Sequence, residues 1–349
     1  MSDPSPLLSV KDLEVVFTSK EGDVRAVDGL SFAVYPNEVL GIVGESGSGK
    51  SVTSLAVLNL LSLNGRIAAG SIRLESGGRF WDVHHLDEDG KPMRRLRGKE
   101  IAMVFQEPMS ALSPLHTIGN QIGEAIRMHD LPDGRLSWVE RRRFVRQHTI
   151  EVLESVGMPT PGELLDSYPH QLSGGLRQRA VIAMALACRP KVLIADEPTT
   201  ALDVTLQAQV LELLEDLQQR NEMSVIFITH DLGVIAEVAD RVLVMYLGRA
   251  METAPVDELF HGPLHPYTRA LLRSIPHTSG ALETLIPISG TVPGPYWVPS
   301  GCPFHTRCEE AIPGVCDVRV PIPVEVTPGH EVACFLHHDA GFDRNREDG

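Results

Sequence analysis

The 349-residue sequence lacks several features that would mark particular classes of protein. No apolar run approaches the roughly 20 residues that a membrane-spanning helix needs. The opening residues, MSDPSPLLSV, have no basic stretch before an apolar one, so we expect no secretory signal peptide. Lysines and arginines number 31 against 46 aspartates and glutamates, a net charge of −15. This acidity disfavours non-specific binding to nucleic acid or anionic lipid.

Cysteine is scarce, yet four of the five cysteines fall close together near the end of the chain. Cys302, Cys308, Cys316 and Cys334 follow a C-x5-C-x7-C-x17-C spacing. In a chain expected to be cytosolic, clustered thiols indicate metal or redox chemistry before disulfides. The absence of a CxxC pair disfavours a zinc knuckle. A tetrahedral zinc, a [4Fe–4S] cluster, and unliganded or disulfide-linked thiols all stay open at this point.

What is present is the composition of a globular protein, with 43% hydrophobic and 22% charged residues. Short apolar runs at 40–43 (LGIV), 191–196 (KVLIAD) and 224–230 (SVIFITH) predict buried strands, and helical spacing follows the first two. This alternation indicates an α/β fold. From about residue 276 prolines and glycines become frequent, which predicts a boundary and a loop-rich tail.

A glycine-rich stretch between the first of these strands and its helix fits the pattern GxxxxGK[ST]. Such a loop turns backbone N–H groups inward around phosphate oxygens at a helix N-terminus. Its lysine would reach the β- and γ-phosphates, and the hydroxyl after it would bind Mg²⁺. The predicted nucleotide-binding residues are Gly44, Glu45, Ser46, Gly47, Ser48, Gly49, Lys50 and Ser51.

Two further motifs complete the chemistry of a nucleotide hydrolase. Asp196 ends an apolar strand and could hold Mg²⁺, while the next residue, Glu197, could polarise the attacking water. Ser173, Gly174 and Gly175 open a long helix and predict a second anion-binding site. Two chains arranged head-to-tail would place each glycine-rich loop opposite the partner's serine and glycines.

In this order and spacing, the glycine-rich loop, LSGGLRQR, VLIADEP, TALD and ITHD resemble an ABC-transporter nucleotide-binding subunit. The resemblance covers about residues 8–260. It implies a P-loop NTPase cassette with a RecA-like core, an antiparallel β-subdomain and a helical subdomain at about 107–190. Carried over by position, Gln106 senses Mg²⁺ and the membrane subunit, Asp203 contacts the partner's loop, and His230 touches the γ-phosphate. Phe17 matches an adenine-stacking aromatic, with a core strand position as the alternative.

The tail extends the resemblance. HPYTRALL (265–272), the glycine and Val-Pro at 290–293, and GCPFHTRC (301–308) resemble the C-terminal extension of oligopeptide/dipeptide importers. Glutathione and nickel importers belong to the same group. We therefore expect a C-terminal extension at 261–336 and a polar tail at 337–349. The resemblance favours a [4Fe–4S] cluster, held by the four clustered cysteines, over zinc.

The resemblance implies an ATPase of the cytoplasmic face of the inner membrane, peripherally bound to two permease subunits. A second ATPase subunit, a paralogue or another copy, and indirectly an extracytoplasmic binding protein complete the assembly, and no nucleic-acid partner is expected. The apolar segment at 107–126 resembles the permease-docking surface, with internal helix packing as the alternative. A soluble ATPase that remodels nucleic acid or ribosomes, and a redox-sensing tail that regulates the ATPase, are competing hypotheses.

Overall fold

The structure, a computed structural model, describes residues 5–106, 111–132, 137–200, 203–274 and 288–337. The chain divides into two compact units, and each is built from separate stretches of sequence. Unit 1 comprises Met1–Leu8, Ala33–Val39 and Arg73–Ile228. Unit 2 comprises Ser9–Phe32, Leu40–Ile72 and Thr229–Gly349. Both units combine strands with helices, as the α/β prediction requires.

The described residues form twelve strands and ten α-helices. The strands are β1 (Leu8–Ser19), β2 (Gly22–Val34), β3 (Val39–Val43), β4 (Gly65–Ser76), β5 (Arg79–Asp82), β6 (Ile101–Val104), β7 (Val192–Asp196), β8 (Ser224–Ile228), β9 (Arg241–Tyr246), β10 (Arg249–Pro255), β11 (Val324–Thr327) and β12 (His330–Val332). The α-helices are α1 (Lys50–Val57), α2 (Lys91–Arg95), α3 (Ile118–His129), α4 (Trp138–Ser155), α5 (Pro161–Leu164), α6 (Gly174–Leu186), α7 (Val204–Asn221), α8 (Leu232–Val238), α9 (Val256–His261) and α10 (Pro266–Arg273).

Unit 1 contains three parallel strands in the order β8-β7-β6. The register pairs Ile101 with Val192 and Val192 with Ser224. Every residue of β7 and β8 is buried, which explains why both read as continuous apolar runs. Asp196 is the last residue of β7 and therefore lies at the carboxyl ends of these parallel strands. Ligands of open α/β sheets bind at that edge.

The helices α3 to α6 of unit 1 lie within the predicted helical segment at 107–190, whose limits stay a prediction. Ile118, Ile122 and Ile126 recur at the spacing of one face of α3, and all three are fully buried. Helix α4 begins at a reciprocal capping box: the Ser137 hydroxyl accepts the backbone N–H of Glu140, and the Glu140 carboxylate accepts the backbone N–H of Ser137.

Unit 2 contains a sheet in the order β11-β12-β10-β9-β3. β3 and β9 are parallel, while β9 and β10 form an antiparallel hairpin. The hairpin β11–β12 of the C-terminal extension adds to the edge of this sheet, and Val332 pairs antiparallel with Glu252. The predicted loop-rich tail therefore includes two strands, which the frequent prolines of its sequence concealed.

Another sheet, apart from the strands described so far, has the strand order β2-β1-β4-β5. β4 pairs antiparallel with β5, with Arg73 opposite Asp82. Within the described ranges, no helix is long and apolar enough to cross a membrane. The predicted boundary between residues 260 and 261 stays a prediction.

The carboxyl group of Glu252 fastens the C-terminal extension to β10. It is only 1% exposed and accepts the backbone N–H groups of Leu264 (2.7 Å) and His265 (3.0 Å), while His330 Nε2 lies 2.7 Å from Oε1. His265 in turn caps α10, since its Nδ1 accepts the N–H of Tyr267 at 3.0 Å. A histidine that accepts at Nδ1 must be neutral to do so.

Acid should weaken unit 2 through His265. Burial, reinforced by the charges of Arg269 and His337, lowers the pKa of His265 from 6.5 to about 3. Because the folded pKa lies below the unfolded value, this stabilisation is complete above about pH 6.5 and falls as the pH drops towards 3. Urea unfolding measured from pH 4 to 8 should show a smaller loss of stability at low pH in His265→Asn, which retains a capping side chain. The matched control is His84→Asn at an exposed position, and equal pH slopes in both variants would contradict the assignment.

Candidate functional site

The glycine-rich loop of unit 2 can only be built with glycine at two of its positions. Gly44 and Gly49 have φ values of +153° and +98°, a region that L side chains rarely adopt. A Cβ at Gly44 would overlap the carbonyl oxygen of Met245, and one at Gly49 would lie 2.5 Å from the carbonyl oxygen of Ala26. The loop therefore packs tightly against neighbouring backbone at both ends.

Lys50 begins α1 and points back into the loop. It is 7% exposed, and its Nζ donates to the carbonyl oxygens of Gly44 (2.7 Å) and Glu45 (3.1 Å). Ser46 and Gly47 are exposed at the tip of the loop, and Ser51 is exposed at the start of the helix. A buried ammonium beneath an exposed loop at a helix N-terminus suits the binding of a polyphosphate.

Glu45, predicted as a loop residue of the nucleotide site, has an ion-pair partner that the sequence did not reveal. Arg307 donates from Nη1 to Oε2 (2.6 Å) and from Nη2 to Oε1 (3.1 Å) of this carboxylate. The hydroxyl of Tyr267 accepts the backbone N–H of Glu45 at 3.0 Å. Both partners come from the C-terminal extension, more than 200 positions along the chain.

In unit 1 the structure brings Gln106 and Glu197 together. Gln106 Nε2 donates to Glu197 Oε2 at 2.8 Å, and the hydroxyl of Thr200 donates to the same oxygen at 2.9 Å. Glu197 follows the buried Asp196 and has a φ of +48°, a strained conformation for a non-glycine residue. Such strain concentrates at functional sites.

The predicted anion site at the start of α6 is exposed. Ser173 caps the helix, since its Oγ accepts the N–H of Leu176 at 3.4 Å, and Ser173 and Gly174 are both exposed. Gln178, one turn further on, is buried and donates to the carbonyl oxygen of Pro198 at 2.6 Å. This contact, which sequence reasoning missed, connects the serine–glycine helix to the segment directly after Glu197.

Comparison with known proteins identifies the family. The chain matches the ABC transporter family over residues 27–200 and the oligopeptide/dipeptide transporter C-terminal region over residues 251–316. The dipeptide transport ATP-binding protein DppD of Escherichia coli is 48% identical over 336 residues, 96% of this chain and 98% of that protein. The chain belongs to the family of ABC transporter ATP-binding subunits.

Other relatives agree with this assignment and confirm the cassette fold. The oligopeptide transport ATP-binding protein AppD of Bacillus subtilis is 46% identical over 342 residues, 98% of this chain and 100% of that protein. The structure of cbiO1 from Clostridium perfringens, part of the ABC transporter complex cbiONQ, has a TM-score of 0.60 at 26% identity. It covers 74% of this chain and 91% of cbiO1. The protein is an ABC-type ATPase.

The structure shows the local contacts and exposure of three further residues that the resemblance predicted for the site: Asp203, His230 and Phe17. Asp203 caps α7, since its Oδ1 accepts the N–H of Leu206 at 3.0 Å, and it is exposed. His230 is exposed just beyond β8. Phe17 is half-buried in β1, and its ring packs so closely on Gly65 that a Cβ there would lie 2.6 Å from Cε1. The contact, γ-phosphate and adenine roles of these residues stay predictions.

The predicted docking segment at 107–126 divides into buried and exposed parts. Residues 107–110 lie outside the described residues. The isoleucines of α3 face inward, which supports internal packing for that part, whereas Leu115 is 80% exposed. Trp138 and Val139 at the start of α4 are also exposed apolar residues of unit 1.

Among the described residues, no disulfide joins the four clustered cysteines of the ABC ATPase. Burial raises the pKa of Cys302 to about 12 and that of Cys334 to about 11, and the neighbouring thiols add to both shifts. Four thiols suit iron–sulfur or zinc chemistry as a donor set. Among the described residues, however, no three His, Cys, Asp or Glu side chains are arranged to hold a metal ion. The predicted [4Fe–4S] cluster is therefore not supported by the geometry.

Crowding at Gly49 should make its replacement more costly than that of Gly47. Both have positive φ, +98° and +79°, but a Cβ at Gly47 would meet nothing within 4 Å. Gly47→Ala should lose about 1–2 kcal/mol of unfolding free energy from the strained backbone alone. Gly49→Ala should lose more, because the loop must also move away from Ala26. Denaturant unfolding compares the two, and equal losses would show that backbone conformation alone determines the cost.

Proposed function

We propose that this ABC ATPase powers the import of di- or oligopeptides by closing head-to-tail on a second ATPase subunit. The observation that carries the proposal is the match of residues 251–316 to the oligopeptide/dipeptide transporter C-terminal region. It is supported by the near-complete coverage of relatives named for dipeptide and oligopeptide transport. Nickel and glutathione, which the sequence also left open, are the alternative cargoes.

Each motif has its own part in the proposed reaction. Lys50 and the loop at 44–51 would hold the phosphates of ATP, and Ser173 to Gly175 of the partner subunit would cover them on closure. Glu197 would accept a proton from the attacking water as the water oxygen bonds to the γ-phosphorus and the bond between that phosphorus and the ADP oxygen breaks. Lys50 and His230 would stabilise the charge on the phosphoryl oxygens, and Asp203 would face the partner's loop.

The donors proposed for Mg²⁺ suit that ion because all of them are oxygens. They are the hydroxyl of Ser51, the carboxylate of Asp196 and the amide oxygen of Gln106. When bound, the ion would neutralise negative charge on the β- and γ-phosphates. Gln106 also donates to Glu197, so one side chain could connect metal binding to the orientation of the water.

The transporter assembly is part of the proposal. We infer two integral-membrane permeases as partners, a paralogous or identical second ATPase, and an extracytoplasmic binding protein that selects the cargo. Exposed apolar side chains of unit 1, Leu115, Trp138 and Val139, support docking on another protein. The subunit would then lie at the cytoplasmic face of the inner membrane, held there by the permeases.

The proposal predicts ATP-dependent peptide uptake that fails when Glu197 is changed. In membrane vesicles containing the permeases and both ATPase subunits, wild-type chain should drive accumulation of a labelled dipeptide or oligopeptide. Glu197→Gln should retain ATP binding but lose nearly all hydrolysis and uptake, because the amide cannot accept a proton from water. The control, Glu212→Gln, changes an exposed carboxylate on α7 and should behave as wild type. Uptake of nickel or glutathione in place of peptide would reassign the cargo, and unchanged hydrolysis would remove Glu197 from its role.

We also propose that the extension carries a [4Fe–4S] cluster. Its support is chemical: four thiols lie on one segment, and the backbone N–H of Cys302 donates to the carbonyl oxygen of Cys316 at 2.7 Å, which places two of them near one another. Thiolates are the ligands of such clusters, and binding would have to displace the protons that burial retains. The cluster would be structural, because it lies outside the ATP motifs.

Elemental analysis tests the cluster directly. Protein purified without oxygen should contain about four irons and four acid-labile sulfides per chain, as the composition of the cluster requires. Cys308→Ser should lose both, while Cys188→Ser, which changes the buried cysteine of unit 1, should retain them. Zinc alone, or neither iron nor sulfide, would overturn the cluster and leave the peptide-import proposal standing on the ATPase and its extension.

A further inference from the structure

Glu45 is held at three points by residues of unit 2. Its carboxylate receives both terminal nitrogens of Arg307, its backbone N–H donates to the hydroxyl of Tyr267, and its carbonyl oxygen accepts from Lys50. The exposed Ser46 and Gly47 follow directly. The conformation of the loop at the phosphate site is thus fixed on one side by the C-terminal extension.

Arg307 is preorganised for this contact. Its side chain is only 3% exposed, Nε donates to the carbonyl oxygen of Ser289 at 3.0 Å, and Nη1 lies 3.3 Å from the hydroxyl of Tyr246. The guanidinium lies 5.7 Å and 5.9 Å from the ring centres of Tyr246 and Phe304. Burial would lower the pKa of Arg307, but its hydrogen bonds to Glu45 and Tyr246 outweigh this and raise the pKa, so the charge persists.

The aromatic residues around Arg307 form one packed cluster. Ring centres of Tyr246, Tyr267 and Phe304 lie 4.8–5.4 Å apart, and all three rings are buried. Arg307 itself ends the short 3₁₀ turn His305–Arg307 between two of the clustered cysteines. A rigid guanidinium fork loses little entropy on pairing, so the ion pair is well placed to fix the loop.

The charge of Glu45 gives this contact a consequence for nucleotide binding. Glu45 is an anionic side chain within the loop that would hold the phosphates of ATP, and like charges at close range repel. When the carboxylate is paired with Arg307, the two opposite charges largely cancel, and little electrostatic repulsion of the phosphates is left. Without Arg307, the partly buried carboxylate of Glu45 would repel the triphosphate. The loop would also be free to change its conformation.

We propose that Arg307 and Tyr267 are positioning residues for the nucleotide, which hold Glu45 so that the C-terminal extension sets the affinity of the loop for MgATP. This inference rests on the proposed binding of ATP at residues 44–51. It assigns the extension a direct part in the ATPase cycle, separate from any metal that its cysteines bind.

Calorimetric titration of the full-length chain with Mg²⁺ and ATPγS tests the inference. Arg307→Gln should raise the dissociation constant about tenfold or more, as expected when one partner of a charged hydrogen-bonded pair is removed. Tyr267→Phe, which keeps the aromatic cluster, should raise it about threefold, in line with the loss of one neutral hydrogen bond. The control, Arg319→Gln, changes an exposed arginine of the extension and should leave the constant unchanged.

The double variant Arg307→Gln/Glu45→Gln separates positioning by charge from simple structural support. If the unpaired carboxylate of Glu45 causes the loss of affinity in Arg307→Gln, replacing it with an amide removes the repulsion. The affinity for ATPγS should then return to within about threefold of wild type. Affinity that is no better in the double variant than in Arg307→Gln would overturn the inference. Thermal unfolding accompanies each titration, and Tyr267→Phe carries the test if Arg307→Gln does not fold.

Lys50→Ala distinguishes failure of the inference from failure of the proposed function. If Lys50→Ala binds ATPγS as wild type does, the nucleotide site itself is misassigned and the inference falls with it. If Lys50→Ala abolishes binding while Arg307→Gln and Tyr267→Phe bind as wild type, the site stands and only the positioning role is wrong.

Discussion

The buried carboxyl group of Glu252 is the contact on which the arrangement of the C-terminal extension depends. It accepts the N–H groups that lead into α10 and pairs with His330 of the added hairpin β11–β12. A buried carboxyl group is costly unless its oxygens are satisfied, and here each oxygen has a partner from the extension. The sheet of unit 2 thereby gains an ordered extension, from which Tyr267 and Arg307 reach the glycine-rich loop.

In unit 1, several hydrogen bonds converge on Glu197. The positive φ of Glu197 costs energy, which surrounding hydrogen bonds must offset. These bonds come from the side chains of Gln106 and Thr200 and from the backbone of Ile228. Gln178 adds a connection from the exposed serine–glycine helix to Pro198. The helix that begins after Ser173 is thus linked by one hydrogen bond to the segment directly after Glu197.

The four cysteines show how donor chemistry and geometry can disagree. Their spacing and number suit a metal cluster, and burial together with the neighbouring thiols raises the pKa of Cys302 and Cys334. Yet no three ligating side chains within the described part of the chain form a metal site. The turn that contains Arg307 lies between Cys302 and Cys308, and the N–H of Cys302 donates to the carbonyl oxygen of Cys316 at 2.7 Å. The turn and this backbone hydrogen bond support the segment around Arg307.

The sequence by itself determined the family, the α/β fold and the position of the glycine-rich loop, because these follow from local patterns. Apolar runs mark buried strands, and the glycines of GESGSGKS mark a tight loop before the helix that follows. Only the tertiary structure decided the partners of Glu45, the bond between Gln106 and Glu197, and the strands hidden in the proline-rich tail. These contacts join residues between about 80 and 260 positions apart, and no periodicity or spacing records which distant side chains folding brings together.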